Sequence, residues 1–141
     1  ILDLGCGSGI LAIAATRAWP KARLIGVDID ERSVEVAVEN ARLNRADRRI
    51  SFVCGAGVDA PPVRQAAPFD LLVANILAAP LVALAPDVAR VAAPRGGILV
   101  LSGLLTREAA AVQAAYHAQG FALVAHRRYD GWSVLTLKKR D

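Results

Sequence analysis

Cysteine and histidine are scarce in this chain of 141 residues, which has two of each. Cys6 and Cys54 show no C-x-x-C spacing, and two cysteines in a chain of this length do not make a disulfide framework. We interpret both as small residues beside a ligand cleft rather than as catalytic thiols. His117 and His126 have no cluster of further ligand residues around them, so we expect no metal site.

Long apolar runs are also absent, because Arg, Asp, Pro or Gly interrupts each run before it reaches membrane-spanning length. The first residues are strand-like and carry no basic segment, so we predict no secretory signal peptide. These absences favour a cytoplasmic protein without membrane association. The chain begins inside a predicted strand, and we expect it to be a fragment of a longer protein.

The composition indicates a compact soluble domain, with 55% hydrophobic and 21% charged residues. The net charge is +4, and basic residues gather at 127–128 and 138–140. Such a charge would suit a partner near RNA or an acidic surface, but a solvated basic face is the favoured interpretation. We predict no direct nucleic-acid readout, and we expect a monomer.

Buried strands alternate with helical segments along the chain. The opening apolar run is followed by predicted strands at 23–28, 50–54, 69–75, 98–102, 121–128 and 132–138. We predict helices that begin at Ser8, at Asp30 or Ser33, and at Thr106. The stretch 76–93 is helical in composition but should be broken by its prolines. We predict that 55–68 is a loop with one helical turn. The prediction is an α/β fold, Rossmann-like and doubly wound, with a mostly parallel seven-stranded sheet and an antiparallel C-terminal hairpin.

A glycine-rich turn follows the first strand and precedes the first helix. Gly5, Gly7 and Gly9 leave the backbone free to turn sharply and to approach a ligand closely. A dinucleotide fingerprint would read G-x-G-x-x-G, whereas here the third glycine comes one residue early and Ile10 follows it. The spacing also differs from a G-x-S-x-G hydrolase elbow, and the Gly-Lys-Ser/Thr of a P-loop is absent.

Two carboxylates flank this turn. Asp3 lies just before it, where a negative charge would repel a pyrophosphate but would suit an ammonium or sulfonium group. Asp28 ends the second strand, about where an acid binds a ribose diol in doubly wound folds. Together they favour S-adenosylmethionine (SAM) over NAD as the cofactor.

With these residues in view, the chain resembles the class I SAM-dependent methyltransferases. It is most similar to the PrmA family, which methylates amino groups of a large-subunit ribosomal protein at the stalk base. The segments that carry the resemblance are 3–14 (DLGCGSGILAIA), 26–30 (GVDID), 73–78 (VANILA) and 101–103 (LSG). The first two are shared by many methyltransferases, and the Ala-Asn-Ile-Leu-Ala segment is more specific.

The resemblance implies roles for individual residues. Gly5 is expected to lie against the cofactor together with Asp3 and Gly7, Asp28 to hold the ribose hydroxyls, and Asn75 to lie where methyl donor and acceptor amine meet. Asn75 is thus both a predicted cofactor contact and the predicted catalytic position, although a helix cap or turn role is the alternative. The family also has an N-terminal substrate-recognition domain, so residues 1–141 are expected to be the catalytic domain alone.

Other functions stay open at this stage. Glutamine and nucleic-acid amine methyltransferases usually carry Asn/Asp-Pro-Pro-Tyr/Phe after the fourth strand, and Asn75 is instead followed by Ile76-Leu77. Methyltransferases of small molecules or other proteins, and a non-catalytic SAM-fold binding module, are further alternatives. An NAD-binding domain is the least favoured.

Overall fold

A computed structural model describes residues 1–140 and divides the chain into two compact units, Ile1–Ala66 and the part from Ala67 onward. The strands are β1 Leu2–Leu4, β2 Leu24–Asp28, β3 Ile50–Cys54, β4 Leu71–Asn75, β5 Ile98–Leu105, β6 Phe121–Tyr129 and β7 Trp132–Lys139. The α-helices are α1 Ile10–Ala18, α2 Glu31–Leu43, α3 Pro61–Ala66, α4 Ala78–Ala83, α5 Ala85–Val91 and α6 Ala109–Ala118. Short 3-10 segments occupy Gly57–Asp59 and Thr106–Glu108.

The first unit contains three parallel strands in the order β3-β2-β1. Leu2 pairs with Ile25, and Val27 pairs with Val53, so the carboxyl ends of β1 and β2 lie side by side. Side chains of α1, β2, α2, β3 and the turn after α2 form the apolar core of this unit: Ala12, Ile13, Ala15, Leu24, Ala41, Ala46 and Ile50 are buried. Such an arrangement places the ends of β1 and β2 where ligands bind in open α/β sheets.

Helix α1 begins later than the sequence predicts. Ser8 does not cap it; Gly9 occupies the N-cap position with φ 78°, and no side chain caps the helix. The left-handed backbone at Gly9 turns the chain directly from the glycine turn into the helix, so no hydroxyl is needed. The predicted cap for the second helix is confirmed, because the Asp30 side chain accepts hydrogen bonds from the Ser33 N–H and hydroxyl.

The segment 55–68 is more ordered than the predicted loop. It contains the 3-10 turn Gly57–Asp59 and the helix α3, which starts at two consecutive prolines. Proline is well tolerated in the first turn of a helix, where its missing N–H would have no intrahelical partner. The prolines of this segment therefore start a helix as well as interrupting the chain.

The second unit contains β4 and β5 in parallel, with β7 and then β6 added in antiparallel orientation to β5. The predicted hairpin is confirmed. Asp130 and Gly131 connect its strands with φ of 45° and 84°. Positive φ at both central residues belongs to the two-residue type I′ turn, which matches the twist of the strands.

Helices in this second unit are short. The stretch 76–93 is broken into α4 and α5, as its two prolines predict. Thr106 begins a 3-10 turn instead of capping α6, and the Glu108 carboxylate accepts the Leu105 N–H at 2.8 Å. Gly120 ends the α6 region with φ 85°, which confirms its predicted position.

The predicted fold class is confirmed: the seven strands are mostly parallel, helices lie between them along the chain, and β6 and β7 form an antiparallel hairpin. Among residues 1–140, no helix is both long and apolar enough to cross a membrane.

Candidate active site

The glycine turn is held against the end of β2 by its backbone. The N–H groups of Gly5 and Cys6 both donate to the Val27 carbonyl, at 2.9 and 3.0 Å, and Gly9 N–H donates to the Cys6 carbonyl at 2.8 Å. These bonds fix the turn beside Asp28, which follows Val27. The predicted proximity of the turn and Asp28 is thus present within the first unit.

Gly7 and Gly9 serve different purposes in this turn. A Cβ at Gly9 would lie 3.0 Å from Ala37 Cβ and 3.0 Å from the Phe52 ring, so Gly9 is needed for packing inside the unit. A Cβ at Gly7 would have no atom within 4 Å, although its φ of 50° still favours glycine. Gly7 therefore borders open space, which is the property expected of a backbone group next to a ligand.

The Asp28 side chain also holds the glycine turn in place. Its Oδ2 accepts the Gly7 N–H at 2.8 Å, and its Oδ1 accepts the Asp30 N–H at 3.0 Å. The side chain is only half-buried, and each carboxylate oxygen can accept more than one hydrogen bond. Two hydroxyl groups of a ligand could therefore still donate to Asp28 while the turn stays closed.

Asp3 is a buried carboxylate, with an exposed fraction of 1%. Its Oδ2 accepts the Ala12 N–H at 2.9 Å, which ties β1 to the first turn of α1, and its Oδ1 has no hydrogen-bond partner among the described residues. Burial raises the pKa of Asp3 from 3.8 to about 6; the Ala12 N–H opposes this rise, and the charge of Asp28 adds to it. A buried acceptor without a partner is unfavourable by itself, and a positive ligand atom would compensate it.

The two cysteines differ in burial. Burial, followed by the charges of Asp3 and Asp28, raises the pKa of Cys6 to about 12, so its thiol stays protonated at neutral pH. Because the thiolate is the nucleophilic form, this higher pKa argues against Cys6 as a nucleophile. Cys54 is exposed at the end of β3. No group of three or more metal-ligating side chains occurs among residues 1–140.

Asn75 is the last residue of β4 and is exposed. It pairs in register with Ser102 of β5, whose hydroxyl lies 3.5 Å from the Ala74 carbonyl. Gly103 follows, and a Cβ there would lie 2.8 Å from Asn75 Oδ1. The sequence placed Ser102 and Gly103 in a resembling segment but assigned them no role, because this closeness depends on the pairing of two distant strands.

Part of the basic C-terminal cluster is used within the second unit. Lys139 Nζ donates to the Ala89 carbonyl at 2.8 Å and lies 5.0 Å from the centre of the Phe121 ring. Arg140 bonds His117 Nε2 at 2.7 Å. These contacts tie Lys139 and Arg140, two of the three basic residues at 138–140, to other residues of the second unit.

The fold is similar to that of solved Rossmann-like methyltransferases. A solved ribosomal protein L11 methylase from Lactobacillus delbrueckii subsp. bulgaricus superposes with a TM-score of 0.89 at 30% identity, over 99% of this chain and 69% of that chain. An RNA methyltransferase from Salinibacter ruber, solved in complex with S-adenosyl-L-homocysteine, has a TM-score of 0.73 at 21% identity, over 99% of this chain and 80% of that one. This second likeness shows the fold alone.

The particular family follows from the sequence match. The family described as ribosomal protein L11 methyltransferase (PrmA) matches residues 1–140, and the chain belongs to it. A ribosomal protein L11 methyltransferase from Bradyrhizobium diazoefficiens is 50% identical over 139 residues, which are 99% of this chain and 46% of the relative. The chain spans about half the length of the curated relatives it matches.

Proposed function

We propose that this protein is a SAM-dependent protein methyltransferase that modifies lysine side-chain or N-terminal amines of a large-subunit ribosomal protein in the cytoplasm. The observation that carries the proposal is the bond from the Gly7 N–H to the Asp28 carboxylate, which builds an open turn between two acids at the ends of β1 and β2. Membership of the PrmA family supports the acceptor, since the named relatives are ribosomal protein L11 methyltransferases.

The residues of the first unit fit SAM. Gly5 and Gly7 would leave room for the cofactor along the turn, and Asp28 would accept its ribose hydroxyls with its remaining lone pairs. Asp3 would hold the turn against α1 and offer Oδ1 to the positive charge of the cofactor. Since Asp3 is almost fully buried, that attraction acts mainly through the field of the carboxylate.

When bound, SAM supplies an activated methyl group on a sulfonium, which is already a good leaving group. The chain's own residues then mainly have to hold and orient the acceptor. Asn75 is proposed to contact the cofactor and to accept a hydrogen bond from the acceptor amine at Oδ1. An amide keeps this acceptor at every physiological pH, so it can orient a neutral amine without exchanging a proton with it.

Residues 1–141 are proposed to be the catalytic domain. The relatives are about twice as long, and we propose that recognition of the ribosomal protein lies in the rest of the full-length protein. The protein is proposed to act as a monomer, without a membrane or a nucleic-acid readout of its own.

Calorimetric titration of the full-length protein with SAM, combined with a methyl-transfer assay, tests the proposal. Asp28→Ala should lose most of the SAM affinity, and Asn75→Ala should keep measurable SAM binding while transfer falls by about tenfold or more. The matched control is Asn44→Ala, which changes an exposed amide at the end of α2. Transfer at the wild-type level by Asn75→Ala would remove that residue from the proposed site. SAM binding without any transfer by the wild type would favour a binding module.

A further inference from the structure

Strand β5 is irregular next to the end of β4. Its pairing with β7 is regular up to Leu101 opposite Leu135 and resumes at Leu104 opposite Ser133, so the register shifts between these points. The two residues in between are Ser102, which is opposite Asn75 on the β4 side, and Gly103, which has φ 80°. Such bulges redirect a strand locally and often lie beside functional sites.

Gly103 approaches the Asn75–Ile76 segment more closely than any other residue type could. A Cβ at position 103 would lie 2.8 Å from Asn75 Oδ1, 2.7 Å from the Ile76 carbonyl oxygen and 2.9 Å from the Ile76 nitrogen. All three distances are below 3.0 Å, which Cβ atoms essentially never show, and two of the atoms are backbone and cannot rotate away. A side chain at 103 would therefore have to displace Asn75, Ile76 or both.

Among residues 1–140, no hydrogen bond of the Asn75 side chain is found, and its Oδ1 lies next to Gly103. We propose that Gly103 is a positioning residue, and that the bulge of β5 sets the orientation of the Asn75 amide by bringing bare backbone against it. This inference rests on the proposed function of Asn75. Gly103 itself has no side chain that could contact the acceptor, so it acts through Asn75.

The second unit contains matched controls for this inference. Gly120 and Gly131 have φ of 85° and 84°, close to the 80° of Gly103, and a Cβ at either would have no atom within 4 Å. Alanine at these positions therefore carries a similar backbone strain without the contact to Asn75. Any effect of Gly103→Ala beyond that of Gly120→Ala measures the contact.

The test uses the full-length protein and two readouts. The first is the NMR signals of the Asn75 side-chain NH2 group, assigned with Asn75→Ala, and the second is kcat for methyl transfer to the ribosomal protein. Gly103→Ala should shift the Asn75 signals and lower kcat by about tenfold to a hundredfold, with a smaller change in KM and a loss of SAM affinity no larger than in Asn75→Ala. Gly120→Ala should change neither readout.

The possible failures are distinguishable. Unshifted Asn75 signals in Gly103→Ala would overturn the inference, while a slow Asn75→Ala variant would leave the proposed function intact. Wild-type transfer by Asn75→Ala would remove Asn75 from the proposed site and overturn the inference, and a slow Gly103→Ala would then show that Gly103 acts by another route. Should Gly103→Ala fail to fold, recovery of folding in the double variant with Asn75→Ala supports the inference, because the amide oxygen is then absent. No recovery would assign the constraint to the Ile76 backbone and would overturn it.

Discussion

Replacing Asp3 with asparagine separates the stability of the glycine turn from its function. The amide oxygen can still accept the Ala12 N–H, so the link between β1 and α1 is kept, and only the buried negative charge is lost. Because burial raises the pKa of Asp3, the neutral form of this carboxyl is the one that the fold favours.

The magnitude follows from the two pKa values. For a group whose pKa is higher in the folded state, the stabilising contribution is present below the ordinary value of 3.8 and is lost as the pH rises through about 6. A shift of one pKa unit corresponds to about 1.4 kcal/mol, so ionisation of Asp3 lowers the free energy of unfolding by about 3 kcal/mol near neutral pH. Asp3→Asn does not ionise and should escape this loss.

The assay is urea unfolding of both proteins at pH 4 and at pH 7.5 without cofactor. Relative to the wild type, the free energy of unfolding of Asp3→Asn should rise by up to about 3 kcal/mol between these two pH values. A measurement at one pH is not sufficient, because the NH2 group that replaces Oδ1 also changes the free energy of unfolding, independently of pH. Asp47→Asn removes one exposed charge from the same unit and is the control.

A stability difference between Asp3→Asn and wild type that does not change with pH would refute this reasoning. The same variant should bind SAM more weakly, and wild-type affinity should fall as the pH drops below about 6, where Asp3 becomes protonated. Higher stability at neutral pH together with unchanged SAM affinity would show that the charge of Asp3 has no part in binding.

The remaining predictions concern the glycine turn, a buried hydroxyl and the thiols. Gly7→Ala should lower the free energy of unfolding by about 1–2 kcal/mol, because alanine is strained at positive φ. Gly9→Ala should lower it by more, since its methyl group would also lie 3.0 Å from two side chains, and thermal unfolding of both variants measures the difference. The buried Tyr116 hydroxyl has no partner in the described part of the chain, so Tyr116→Phe should stabilise by about 1 kcal/mol in urea unfolding, and a large loss would contradict this. Iodoacetamide at pH 7 should label exposed Cys54 well before buried Cys6, as peptide mass spectrometry can follow, and equal rates would contradict the burial of Cys6.

The strands were predictable from the sequence because buried parallel strands appear as short apolar runs. Asp28 and Asn75 end two such runs, and the structure places both at strand ends. Of the predicted helix caps, one is confirmed and two are wrong. Asp30 caps α2 as predicted. Ser8 does not cap α1, because the left-handed Gly9 occupies the N-cap position, and Thr106 begins a 3-10 turn instead of capping α6. Cap residues compete with other local conformations, and a composition pattern does not decide between them.

For the candidate site, the sequence indicates which chemical groups are present but not how they are arranged. The identity of Asp3, the glycines and Asp28 indicated the kind of ligand. The burial of Asp3 depends on the folded unit, and the bond from Gly7 N–H to Asp28 joins residues 21 positions apart. Gly103 shows the same limit, because its approach to Asn75 arises from the pairing of β4 with β5. Such contacts between distant residues cannot be predicted from the periodicity of a local segment.

The most direct test of the proposed function is methyl transfer from labelled SAM to the large-subunit ribosomal protein by the full-length protein, with the modified residues located by mass spectrometry. The label should appear on lysine side-chain or N-terminal amines of that protein, and Asn75→Ala should reduce it by about tenfold or more. SAM binding with no label on any amine, or label on RNA instead, would contradict the proposed function.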